Sequence, residues 1–96
     1  MARPERVVED KATRAIQQIG KRIAELRRAA GWSQKDFAEV LNATVQWVSL
    51  VETGGQNLTV HTMVRLADKL GVDAIELWTS PGPEVKPKRG RPRKSR

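Results

Sequence analysis

The apolar positions in the first third of this 96-residue chain recur with a helical period. Over residues 12–30 they are separated by alternating steps of four and three, which places them on one face of a helix. Gly20 interrupts this face, and Gly31 is positioned to end the helix. Residues 1–9 are mostly polar, and residues 1–11 are predicted to be flexible. The apolar positions of this first helix are Ala12, Ile16, Ile19, Ile23, Leu26 and Ala30.

Two shorter helices are predicted next, separated by a tight turn. Ser33 is a preferred N-cap residue, and Asp36 three positions later forms a weaker version of the capping box. This second helix ends near Asn42, a residue type that tolerates left-handed backbone. Thr44 is the N-cap candidate of a third helix, which Gly54 ends, so the pair has the helix-turn-helix layout. The predicted inward-facing residues are Phe37, Ala38, Leu41, Val48 and Val51.

A fourth and a fifth helix complete the predicted body. Thr59 is positioned to cap the fourth helix and Gly71 to end it. Asp73 and Glu76 predict a capping box for a short fifth helix that ends at Trp78. We expect Trp78 to cover the core or to lie in a dimer interface. The predicted inward positions of the fourth helix are Val60, Met63, Val64, Ala67 and Leu70.

Positive charge is concentrated at the C-terminal end. Residues 81–96 contain seven of the 18 Lys and Arg residues but one of the 11 acidic residues, so residues 1–80 are nearly neutral. Four prolines in the C-terminal segment exclude a continuous helix. We therefore predict an all-α five-helix domain over residues 12–80, followed by a disordered basic tail. Charge asymmetry of this kind points to an anionic polymer or surface as the partner.

Composition narrows the chemistry further. The chain has no cysteine, which excludes disulfides and thiol chemistry and fits a reducing compartment. No apolar run approaches the roughly 18 residues of a membrane span, so no membrane association is expected. The single histidine, His61, offers no metal-ligand set, and Ser49 has no matching constellation for nucleophilic catalysis. We predict no enzymatic activity, no metal and no cofactor.

The body resembles the Cro/C1 (XRE-type) helix-turn-helix domain of bacterial and phage repressors. The resemblance covers about residues 19–78 and rests on the order and spacing of several short motifs. These are Arg27, the segment GWSQ at 31–34, the pair Phe37-Ala38, and the segment VSLVETG at 48–54. It implies a compact repressor-like DNA-binding domain in which the third helix is the recognition helix.

The resemblance also implies which residues contact DNA. A helix in the major groove needs small or polar side chains at its first outward positions. Gln46 can pair with N6 and N7 of an adenine, and Val45 or Leu50 can pack on a thymine methyl group. Gln34 lies at the start of the second helix, where relatives contact a phosphate. The expected DNA-contacting residues of the body are Gln34, Lys35, Thr44, Val45, Gln46, Trp47, Ser49, Leu50 and Asn57.

Two further points follow from the family comparison. In relatives, the residues equivalent to Arg27 and Glu52 often form a partly buried ion pair, so we expect a structural pair here. The chain departs from the family pattern in the loop at residues 54–57, which has no cation where many relatives have one. Asn42 replaces the usual turn glycine, and Leu58 replaces a common proline.

The tail segment KRGRPRK, residues 88–94, resembles an AT-hook, whose core is Arg-Gly-Arg-Pro. A narrow A·T-rich minor groove has enhanced negative potential and attracts inserted arginines. Gly90 has no side chain, so the backbone can approach the groove floor. The expected minor-groove residues are Arg89, Gly90, Arg91, Pro92 and Arg93. A nonspecific polybasic tail and a tail that binds another partner are the alternatives.

These features predict a sequence-specific regulator of transcription that binds double-stranded DNA, acts as a repressor and forms a homodimer. The resemblance implies a bacterial, cytoplasmic and nucleoid-associated protein. Two alternatives remain open. One is the antitoxin of a toxin–antitoxin pair, with Trp47 or Trp78 as the anchor for a toxin partner. The other is an architectural protein that binds A·T-rich DNA broadly.

Overall fold

The computed structural model describes residues 4–79, with side chains from residue 7 onward. Within this range every regular element is a helix and there is no strand, which confirms the predicted all-α class. The AT-hook-like motif and the rest of the predicted tail lie outside the described residues. The elements are α1 (Pro4–Ala29), α2 (Gln34–Leu41), α3 (Val45–Thr53), α4 (Val60–Leu70) and a 3₁₀ helix (Ala74–Trp78).

The first helix begins earlier than its apolar pattern predicts. We predicted a start near residue 12 after a flexible segment, whereas α1 starts at Pro4 and continues without a break to Ala29. A proline at the first helical position is already fixed near the helical φ angle. No glycine or proline lies between Pro4 and Gly20, so no helix-breaking residue separates this N-terminal segment from the rest of α1. Residues 7–14 are exposed, which is why their apolar pattern is weak.

One hydrophobic core joins the helices, and α1 packs closely on α3 within it. Gly20 makes this approach possible. A β-carbon placed on Gly20 would lie 2.4 Å from the carbonyl oxygen of Val51 and 2.7 Å from that of Glu52. The glycine that appeared to interrupt the first helix is therefore a packing residue. The core residues are Ile19, Ile23, Phe37, Ala38, Leu41, Val48, Val51, Met63, Leu66, Ala67 and Leu77.

The inward face of α4 differs in part from the prediction. Met63 and Ala67 are buried as predicted, but Val60 and Val64 are exposed. Leu66, which we did not place on the inward face, is fully buried. A helix turns about 100° per residue, so Val64 is rotated well away from Met63. These two valines therefore form part of an outer apolar surface.

The predicted fifth helix is a 3₁₀ helix, and Asp73 makes no side-chain capping hydrogen bond to it. A side chain from α1 fixes the element instead. Arg22 Nε donates to the carbonyl oxygen of Glu76 at 3.1 Å, and Arg22 Nη2 donates to Glu76 Oε1 at 2.9 Å. Leu77 takes the buried position, and the next residue, Trp78, is left 59% exposed. Trp78 therefore does not cover the core.

Candidate nucleic-acid interface

Local capping interactions fix the turn between α2 and α3. Ser33 Oγ accepts from the Asp36 amide at 3.0 Å, and Asp36 Oδ2 accepts from the Ser33 amide at 3.3 Å. This is the predicted capping box. Asn42 has the left-handed conformation at φ 60° and ψ 45° that ends α2. Thr44 Oγ1 then accepts from the Trp47 amide at 3.0 Å, so only three residues separate the end of α2 from the start of α3.

The third helix is divided into a buried face and an exposed face. Val48 and Val51 are fully buried against the core, which fixes the rotation of α3 about its axis. Val45 and Leu50 are 44% and 46% exposed, and Gln46 lies between them on the surface. The exposed face therefore combines an amide with aliphatic groups, which are the side-chain types that contact base edges and thymine methyl groups.

The other predicted DNA-contacting residues occupy different environments. Thr44, Lys35 and Asn57 are exposed at the start of α3, in the first turn of α2 and in the α3–α4 loop. Ser49 is partly covered. Trp47 is also partly buried and packs against the hydrophobic core, so its ring helps to anchor α3.

A buried ion pair connects α1 to the end of α3. Arg27 and Glu52 are only 8% and 9% exposed. Arg27 Nε donates to Glu52 Oε2 at 2.6 Å, and Arg27 Nη2 donates to Glu52 Oε1 at 3.2 Å. Arg27 Nη1 also donates to the carbonyl oxygen of Trp32 at 2.7 Å, in the turn between α1 and α2. The pair therefore fixes three segments relative to one another.

Gln34 joins this pair, a contact that sequence reasoning missed. Its Nε2 donates to Glu52 Oε1 at 2.9 Å, so the amide connects the start of α2 to the end of α3. Eighteen positions separate the two residues, and no local pattern signals such a contact. One N–H of the amide is used internally, and the second remains for an outside acceptor.

Two further contacts hold α2 in place, one at its last turn and one at its buried face. Arg65 of α4 donates to the carbonyl oxygen of Leu41, which lies in the last turn of α2 and has no partner within that helix. Trp32 stacks on Phe37 with ring centroids 5.5 Å apart.

The described residues contain no cluster of His, Cys, Asp and Glu suited to a metal ion. None of their helices is both long and apolar enough to cross a bilayer.

A family profile described as "Helix-turn-helix domain" matches residues 18–78. The chain belongs to the helix-turn-helix domain family. The matched range coincides with the segment whose capping residues and buried ion pair are described above. It also agrees with the resemblance to XRE-type domains that the sequence indicated.

Known relatives support this assignment. The chain is 38% identical over 61 residues to an uncharacterized HTH-type transcriptional regulator, y4dJ, of Sinorhizobium fredii, covering 64% of this chain and 79% of that protein. It is 34% identical to a propionyl-CoA carboxylase regulator of Cereibacter sphaeroides, over 64% of this chain but only 13% of that much longer protein.

A solved structure shows the same fold. The crystal structure of the restriction-modification controller protein C.AhdI from Aeromonas hydrophila superposes with a TM-score of 0.61 at 32% identity. The superposition covers 65% of this chain and 94% of that one. Family, relatives and fold agree, and this helix-turn-helix protein is a DNA-binding transcription regulator.

Proposed function

We propose that this regulator binds a specific operator in double-stranded DNA, with α3 in the major groove, and represses transcription from it. The exposed face of α3 is the observation that carries the proposal. Val48 and Val51 hold the helix in one rotation, and this rotation directs Gln46 and Leu50 outward. Occupation of an operator would block RNA polymerase, an outcome we take from the family.

The proposed DNA-contacting residues include one group suited to base edges and another suited to backbone phosphates. Val45, Gln46 and Leu50 are placed to contact base edges. Lys35, exposed in the first turn of α2, and the free amide hydrogen of Gln34 suit phosphate oxygens. Thr44, Trp47, Ser49 and Asn57 extend the proposed contact surface.

Replacing Gln46 by alanine is expected to weaken binding to the operator by about 1–3 kcal/mol and to relax base choice at one position per half-site. The lost bonds are those that an amide makes to one base and not to others. The measurement is a titration of operator duplexes that carry each of the four bases at that position. Gln18→Ala, which removes an exposed amide from α1, is the matched control and should change neither affinity nor base choice. An equal loss on every duplex would show that Gln46 does not contact a base.

We further propose that the regulator acts as a homodimer. One recognition helix contacts only a few base pairs, so a two-fold pair with half-sites about 10 bp apart is the expected arrangement. Val60, Val64, Ile75 and Trp78 expose apolar side chains on α4 and the adjacent 3₁₀ helix. These two elements pack against each other, and the 3₁₀ helix also packs on α1. The four side chains offer a second copy an apolar surface that is separate from the exposed face of α3.

The tail supplies a second proposed contact. Residues 89–93 are proposed to enter an A·T-rich minor groove beside the operator, as an AT-hook does. From Trp78 to Arg89 the chain has eleven residue steps, which span at most roughly 40 Å, a little more than one turn of B-form DNA. A tail tethered to a bound body acts at a high effective concentration, so even a weak hook adds affinity.

Selection from random duplex DNA tests the whole proposal. It is run at one salt concentration on the full chain and on residues 1–80, a range that includes every core residue. We expect a palindromic motif from both proteins, with A·T-rich flanks only from the full chain. Enrichment of A·T-rich DNA without a palindrome, and its loss on truncation, would instead assign DNA binding to the tail and contradict the proposed role of α3.

A further inference from the structure

A groove of about 500 Å³ lies where the second half of α1 meets the start of α2 and the end of α3. Its wall includes the buried Arg27–Glu52 pair and the Gln34 amide that bonds to it. The predicted DNA-contacting residues include only one member of this wall, Gln34. The lining residues are Lys21, Ala24, Glu25, Arg27, Arg28, Gln34, Glu52 and Thr53.

The lining of the groove carries net positive charge because it contains three cations and two carboxylates. Glu52 is held by Arg27 at 2.6 Å, and Glu25 is held at 3.2 Å by Arg22, which also binds Glu76 at 2.9 Å. The remaining charged groups of the lining are Lys21 and Arg28. Both are exposed, and neither takes part in an ion pair within residues 7–79. Two cations are therefore available to an anion that enters the groove.

The groove also borders the exposed face of α3. Gln46, Leu50 and Thr53 are spaced by four and three residues, so they lie along one side of that helix. All three are exposed, and Thr53 forms part of the groove wall. If α3 enters the major groove through Gln46 and Leu50, we expect one strand of the duplex to lie beside the groove.

From this arrangement we propose that the groove receives a backbone phosphate of the bound duplex, contacted by Lys21 and Arg28. This inference rests on the proposed function, because it assumes that α3 enters the major groove. Arginine can form paired hydrogen bonds to phosphate oxygens, and lysine supplies a mobile point charge. The two residues are seven positions apart, about 10 Å along α1, and their long side chains can converge on one phosphate or bind two neighbouring ones. They supply the positive charge that the cation-free loop at residues 54–57 lacks.

The salt dependence of operator binding tests the inference. Each phosphate contact contributes about 0.9 to the slope of log K against log salt concentration. In the full chain, the double variant Lys21→Gln/Arg28→Gln should reduce this slope by about 0.9 where the two side chains share one phosphate and by about 1.8 where they bind two. It should also weaken binding roughly tenfold or more at moderate salt. The order of preference among operator variants should stay the same, because phosphate contacts carry no base information.

A second double variant, Arg14→Gln/Lys69→Gln, controls for net charge. Both of its sites are exposed and outside the groove, on the N-terminal part of α1 and in the last turn of α4. Each double variant lowers the net charge from +7 by two. We expect a change in slope of at most about 0.5 for this control, since distant surface charges are screened. Equal slope changes in the two double variants would overturn the inference. Absence of operator preference in the unmodified chain would instead contradict the proposed function.

Discussion

Replacing Glu52 by alanine is expected to lower the free energy of unfolding by about 3–5 kcal/mol. The substitution leaves the Arg27 guanidinium buried beside an apolar side chain, and an uncompensated buried charge of this kind is strongly destabilising. Arg27 retains its bond to the Trp32 carbonyl, but that group is uncharged. Gln34 also loses its acceptor. Small domains are stabilised by only about 5–15 kcal/mol in total, so much of the stability would be lost.

Urea unfolding monitored by circular dichroism measures this change, and two variants serve as controls. Glu39→Ala removes an exposed carboxylate from α2 and should change stability by less than about 0.5 kcal/mol. The double variant Arg27→Met/Glu52→Leu replaces the buried pair with apolar groups and should recover most of the loss. If Glu52→Ala and Glu39→Ala behave alike, the ion pair is solvated and does not fix α3 to α1.

The helix-turn-helix could be predicted from sequence because its signals are local. Ser33 and Asp36 each accept from the other's amide, and Thr44 Oγ1 accepts from the Trp47 amide three positions on. Asn42 ends α2 by adopting a backbone conformation that its side chain tolerates. None of these interactions depends on the rest of the fold. The start and end of both helices therefore follow from neighbouring residues alone.

Features that depend on distant contacts were harder to predict. The sequence predicted a capping box at Asp73, whereas Arg22 from α1 holds the 3₁₀ helix. Apolar character alone placed Val60 and Val64 in the core, although the packing of α4 leaves both exposed. Residues 7–11 of α1 are exposed, so no apolar periodicity indicated a helix there. In the first two cases the deciding contacts join residues that are distant in sequence. In the third, these exposed residues make no core contact that would produce an apolar pattern.

The candidate interface also combines features that local sequence predicts with features that depend on distant contacts. The outward positions of Val45, Gln46 and Leu50 follow from the helical period once Val48 and Val51 are placed inside. The attachment of Gln34 to Glu52 does not follow, because it joins the ends of two different helices. The groove beside it could not be inferred either. Its charge depends on which carboxylates are already paired, and the fold decides that pairing.

Replacing Gly20 by alanine is expected to destabilise the protein by about 1–3 kcal/mol, although helix propensity alone predicts the opposite sign. In a helix interior, alanine is favoured over glycine by about 0.8–1.0 kcal/mol. The new methyl group, however, would meet the carbonyl oxygens of Val51 and Glu52 at 2.4 Å and 2.7 Å. These are backbone atoms, which cannot rotate away as a side chain can. The two helices must separate, and forced rearrangement of a packed core typically costs about 1–3 kcal/mol.

The sign of the stability change distinguishes close packing from simple propensity. Thr13→Ala makes an exposed substitution in the same helix and should stabilise the protein by a few tenths of a kcal/mol. Urea unfolding of the two variants compares them directly. Because Val51 and Glu52 belong to α3, separation of the helices should also weaken operator binding by Gly20→Ala, and Thr13→Ala should leave it unchanged. If Gly20→Ala stabilises the protein as Thr13→Ala does, α1 and α3 are not in close contact, and the orientation of the recognition helix must depend on the Arg27–Glu52 pair and the core side chains alone.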